Sequence, residues 1–134
     1  MSNLINRFRI FHSNMQFIKQ KYLKLIYTNI SIVIIMDITK SYNEKELTLS
    51  IEGRIDTITS KDLDKEINDE LGNFDSLIMD FTDLEYISSA GLRVLIATQK
   101  KLKADDVPFV IKNINEAVGE IFRMSGFDKI LDIQ

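Results

Sequence analysis

Cysteine is absent from this 134-residue chain, and with it go disulfides, thiolate zinc sites, cysteine nucleophiles and thiol redox chemistry. The absence fits a reducing cytoplasm. There is one histidine, His12, so a Ser-His-Asp triad or a multi-histidine metal site would have to recruit an N-terminal residue. One proline and five glycines exclude collagen-like and linker-like chains. No glycine-rich loop of the Walker or dinucleotide type occurs, so the sequence points to no cofactor, no metal and no catalytic residues. Long apolar runs are missing too. The uncharged stretch Leu25 to Met36 is twelve residues, short of the roughly 20 a transmembrane helix needs. Nothing resembles the small-residue cleavage site of a secretory signal.

What the chain does have is 45% hydrophobic and 28% charged residues, enough apolar side chain for the core of one soluble domain. Its charge is unevenly placed. Residues 1–36 hold five basic residues (Arg7, Arg9, Lys19, Lys21, Lys24) and no acidic one, whereas residues 37–134 hold 12 basic and 20 acidic, a net of −8. So acidic a domain repels phosphate backbones, which argues against direct binding of nucleic acid. The leader, residues 1–36, has three readings: a basic and apolar anchor at a membrane surface, an additional packed helix, or an upstream extension of the reading frame with Met36 as the working start. Its Ile-, Asn-, Lys- and Phe-rich composition favours the last, in which it is not part of the native protein. Membrane contact is expected only if the extension is real.

Residues 37–134 read as alternating strands and helices. Asp37 to Tyr42 and Leu47 to Ile51 alternate about the turn residues Asn43-Glu44-Lys45, as a β-hairpin does. After Gly53-Arg54-Ile55-Asp56, Thr59 and Asp62 have the spacing of a capping box, and Leu63, Ile67 and Leu71 recur every fourth residue before Gly72. Ser76 to Phe81 has the length and type of a central strand, and Thr82 to Ile87 reads as a polar loop. A second helix follows from Ser88-Ser89-Ala90-Gly91, with Leu92, Leu95, Ile96, Gln99 and Leu102 on one face and Lys100, Lys101 and Lys103 at its close. Val107 to Ile111 reads as a strand, Asn115 as the cap of a third helix, and Ile130 to Ile133 as a last short strand. Met124 and Phe127 read as core or helix-end packing. The order β-β-α-β-α-β-α-β implies an α/β fold with a mixed, mainly parallel sheet of four to five strands, flanked by three to four helices through right-handed crossovers.

The stretch Asp83 to Arg93 carries the functional content. It delivers two hydroxyls to a helix N-terminus, where on propensity alone Ser88 or Ser89 is a cap. A phosphate at the same place would face unpaired N–H groups and the positive end of the helix dipole. Arg93 is placed to steady such a phosphate or to point to water, and Gly91 to permit close helix packing. Asp83 and Glu85 lie two apart with no histidine to support them, the pattern of solvated loop carboxylates. Asp56 and Thr57 end the second strand, and Asp56 has a local role open to it, accepting from the backbone of the next turn.

Gly53-Arg54-Ile55-Asp56, Met79-Asp80-Phe81, Tyr86-Ile87-Ser88-Ser89-Ala90-Gly91-Leu92-Arg93-Val94-Leu95 and Met124-Ser125-Gly126-Phe127 together resemble the STAS domain of bacterial anti-sigma factor antagonists, over residues 37–134. The resemblance implies a switch protein, not an enzyme. Unphosphorylated, such a protein binds an anti-sigma factor that is also a serine kinase and so frees the sigma factor for transcription. Phosphorylation of a serine at the start of the second helix breaks the complex, and a serine phosphatase restores it. Matched by residue, that serine is Ser89, followed by Gly91 and Leu92. Ser88 stands where many antagonists carry Asp, and is a second candidate acceptor. The resemblance places partner contacts on Asp56, Thr57, Ser88, Ser89, Gly91, Leu92 and Arg93. The same domain also serves as an accessory module of membrane transporters and lipid-trafficking complexes, and as a scaffold component of signalling assemblies.

Overall fold

A computed structural model describes residues 36–134, and the expectations for residues 1–35, His12 included, lie outside the described residues. Strand β1 (Asp37–Asn43) turns through Glu44 and Lys45 into β2 (Glu46–Ile55), and the two pair antiparallel from Asp37 opposite Glu52 to Asn43 opposite Glu46. The chain continues through α1 (Thr59–Glu70), β3 (Ser76–Asp80), β4 (Leu84–Ile87), α2 (Ser89–Ala104), β5 (Phe109–Lys112) and α3 (Glu116–Ser125), and a 3-10 turn spans Phe127–Lys129. The five strands form one mixed sheet in the order β1-β2-β3-β5, with β4 pairing β2 off that path. Apart from the hairpin, every pair is parallel.

Alternation in β2 sets the core. Leu47, Leu49, Ile51 and Ile55 are all buried on the helix-covered face, as are Leu77 and Met79 of β3 and Phe109 and Ile111 of β5. Leu63 and Ile67 of α1, Leu92, Leu95 and Leu102 of α2, and Val118 and Phe122 of α3 close over them, each set at helical spacing. Met36 also joins this core. Lys40 on β1 reaches Glu66 and Glu70 of α1 at 2.9 Å, and the Tyr42 hydroxyl donates to Glu70, so the hairpin is tied to the first helix.

Three expectations about the strands and the packing differ from the structure. The polar loop of residues 82–87 contains β4. Leu84 and Ile87 are buried there because the far end of β2 offers its backbone to this segment, Gly53 to Leu84 and, beyond a register shift at Gly53/Arg54, Ile55 to Ile87. Gly53 makes that shift with φ +92°, a conformation that costs glycine no steric penalty, and its N–H donates to the Asp83 carbonyl at 3.0 Å. The final strand shrinks to a single parallel bridge, Ile133 beside Ile111, after the 3-10 turn. Met124 does not pack. It is 81% exposed because it lies two residues past Phe122, on the opposite side of α3, whereas Phe127 is half-buried as expected.

Candidate functional site

Residues singled out on two distant segments meet at one end of the sheet. Ile55 pairs with Ile87, and the Ser88 N–H donates to the Ile55 carbonyl at 2.7 Å, so Asp56 and Thr57 leave the sheet beside the start of α2. The approach is close because Gly91 has no side chain. A Cβ there would lie 2.6 Å from Ile55 Cγ2 and 2.7 Å from Ile87 Cγ1, inside any normal carbon contact. Gly91 and Leu92, expected among the partner contacts, are buried beneath this surface.

The two serines divide the work. Ser88 is the N-cap, with extended backbone, and its hydroxyl oxygen accepts from the Gly91 N–H at 3.2 Å while its carbonyl accepts from Leu92 N–H at 2.9 Å. Ser89 is the first helical residue and is exposed, with its hydroxyl uncommitted to the cap. Arg93, one turn further along α2, is exposed as well.

Asp56 takes the local role open to it. Its Oδ1 accepts from the Ile58 N–H at 2.8 Å and from the Thr59 N–H at 2.9 Å. The expected capping box does not form, because the Thr59 hydroxyl turns back to accept from the Asp56 N–H and donate to the Arg54 carbonyl. Ile58 is left as the N-cap residue, without a capping side chain of its own. The N–H of Thr59, then that of Ile58, holds the Asp56 carboxyl below the usual aspartate range, with the Arg54 charge adding to the effect. A lowered folded-state pKa gives stability that is complete above the unfolded value, near pH 4, and fades as pH falls through the folded value. Asp56→Asn should therefore lower the urea midpoint at pH 7 and approach the parent protein's stability as pH falls through the folded-state value.

Two surface features of this end were not singled out in the sequence. Ile58 is 76% exposed at the tip of the loop, and the Arg54 guanidinium sits 4.4 Å from the centre of the Tyr86 ring. The signal for Ile58 was an apolar residue between two threonines, off the Leu63/Ile67 period. Arg54 and Tyr86 could be paired only once β4 was known to lie against β2. Asp83 and Glu85 are both exposed, and among the described residues no group of acidic or histidine side chains is arranged to hold a metal ion. Among those residues, too, no helix is long and apolar enough to cross a membrane.

A family model described as the STAS domain matches residues 36–134. A candidate anti-sigma factor antagonist of Bordetella bronchiseptica, BtrV, is 27% identical over 73% of this chain and 85% of its own. The anti-sigma-B factor antagonist of Bacillus subtilis is 26% identical over 68% and 84%. The crystal structure of an anti-sigma factor antagonist from Mycobacterium paratuberculosis superposes with a TM-score of 0.68 at 23% identity, over 74% of this chain and 85% of that one. The antagonist SpoIIAA, solved unphosphorylated and phosphorylated, superposes with TM-scores of 0.63 and 0.59 at 16% and 15% identity, over 73% of this chain and 88% and 91% of those chains.

Proposed function

The chain belongs to the STAS domain family, and from that premise we propose that it is an anti-sigma factor antagonist switched at Ser89. Its binding face is the Asp56–Ile58 loop with the first turn of α2, and its partner is an anti-sigma factor that is also a serine kinase. The antagonist acts in the cytoplasm by binding and catalyses nothing. A serine phosphatase resets it. The activity resides in residues 37–134, the acidic part of the chain, and does not require the leader.

One observation carries this reading: the cap duty of the helix falls on Ser88, so Ser89 is exposed and available for modification at the helix start. Adding a phosphate there leaves the cap intact, whereas modifying Ser88 would remove the acceptor that Gly91 N–H uses. A phosphate of about −1.5 to −2 on a domain that is already acidic opposes docking of an acidic or apolar partner surface.

The test is capture of the partner from the native cell on the immobilised protein, followed by incubation of the complex with ATP and phosphopeptide mapping. The phosphate is expected on Ser89 and is lost in Ser89→Ala. Ser88→Ala should still be phosphorylated, while losing about 1 kcal/mol of stability with its cap. Capture of a transporter subunit in place of an ATP-dependent kinase, or a phosphate found only on Ser88, would refute the assignment.

A further inference from the structure

Ser89 and Arg93 stand four residues apart in α2, both exposed. Side chains at that spacing are neighbours on a helix surface, with Cβ atoms about 5–6 Å apart. Long helical side chains lean back over the preceding turn, so the arginine stem runs towards Ser89 and not away from it. Among the described residues Arg93 has no ion-pair partner, although 20 acidic side chains lie in residues 37–134. The cations held in ion pairs lie elsewhere: Lys40 with Glu66 and Glu70, Lys45 with Asp75, Lys65 with Asp69, and Arg123 with Glu120.

Resting on the reading of Ser89 as the acceptor, we propose that Arg93 closes onto a phosphate on Ser89, forming an ion pair within the helix. Phosphorylation then changes two things at the binding face. It adds negative charge at Ser89, and it withdraws a guanidinium that in the unphosphorylated protein is free to meet a partner carboxylate. The planar fork of arginine matches two phosphate oxygens at once, which a lysine ammonium cannot do. Arg54, another cation at this end, is occupied by the Tyr86 ring and lies on β2.

The experiment places phosphoserine at position 89 of the full chain during synthesis, so it needs neither the kinase nor the partner and is independent of whether that partner exists. The phosphate is then titrated by phosphorus NMR. Against the ordinary second pKa of about 6, the parent protein is expected to titrate lower, and Arg93→Gln should raise the value by about half a unit. Arg93→Lys should recover part of the difference, and added salt should shrink it. Circular dichroism of each variant reports whether α2 is still folded. An unchanged titration in folded Arg93→Gln overturns the proposal, as does a larger rise in Arg54→Gln, which would assign the phosphate to that arginine. Failure of the kinase to act on Ser89 would refute the function proposed above and leave this titration as it is.

Discussion

Gly91→Val is expected to destabilise the protein by about 3 kcal/mol, and Gly91→Ala by about 1–3 kcal/mol. The helix gains up to about 1 kcal/mol of propensity when alanine replaces glycine, so the sign depends on space. At Gly91 there is none. The new Cβ meets Ile55 Cγ2 at 2.6 Å and Ile87 Cγ1 at 2.7 Å, and both isoleucines are buried with 0% and 1% of their surface exposed. Either α2 moves away from the strands or two core side chains leave their rotamers. Gly119 in α3 supplies the control, since its added Cβ would meet Ile114 Cδ1 at 3.4 Å, in ordinary contact. Gly119→Ala should be neutral or stabilising in the urea titration that shows Gly91→Val to be severe. If α2 does lift, Ser88 and Ser89 move with it, and partner affinity falls in step with stability.

Ser89→Asp is expected to weaken binding of the captured partner about 100-fold, close to 3 kcal/mol, while leaving the domain at least as stable. The two effects separate because the same carboxylate has different surroundings in each state. In the free domain it is hydrated and faces the positive end of α2, which favours it by about 0.3–1 kcal/mol. In the complex it would be stripped of water against the acidic or apolar partner surface proposed above. Calorimetric titration and thermal melting on one preparation would show affinity falling with no fall in melting temperature. Ser89→Ala should bind like the parent protein. Equal, tight binding by the alanine and aspartate variants would mean that this residue is not the switch.

The segments visible in the sequence are those whose burial follows from their own periodicity. Leu63 and Ile67 at a spacing of four, Leu92, Leu95 and Leu102 along α2, and the apolar run through Leu77 and Met79 each mark a buried face without reference to neighbours. Asn115 was legible for a similar reason, and it does accept from Val118 N–H at 2.9 Å, three residues on. Strand β4 was not. Leu84-Glu85-Tyr86-Ile87 is four residues long, carries a charge and lacks strict alternation, and it is a strand because β2 pairs with it beyond the Gly53 shift. That information lies thirty residues away. At the site, sequence spacing placed Ser88 and Ser89 at the helix start but did not assign the cap between them, since either serine could fill it. For Asp56 the local role was already open in the sequence. In the structure its Oδ1 accepts from the Ile58 and Thr59 N–H groups, while Thr59, expected to cap α1, uses its hydroxyl on Arg54 and Asp56 instead.

The bridge between Ile111 and Ile133 bears on how the molecule avoids its own kind. Asp132 and Gln134 occupy backbone groups of Ile111 and Asn113 at the outer margin of β5, with N–O distances of 2.8–3.3 Å. A strand margin left bare templates addition of foreign chains, and here the tail has already taken that position. The opposite margin, β1, is tied back to α1 through the ion pairs of Lys40 with Glu66 and Glu70. Trimming the tail would therefore open a route to fibrous self-addition on the β5 side, even in a protein whose interior is untouched.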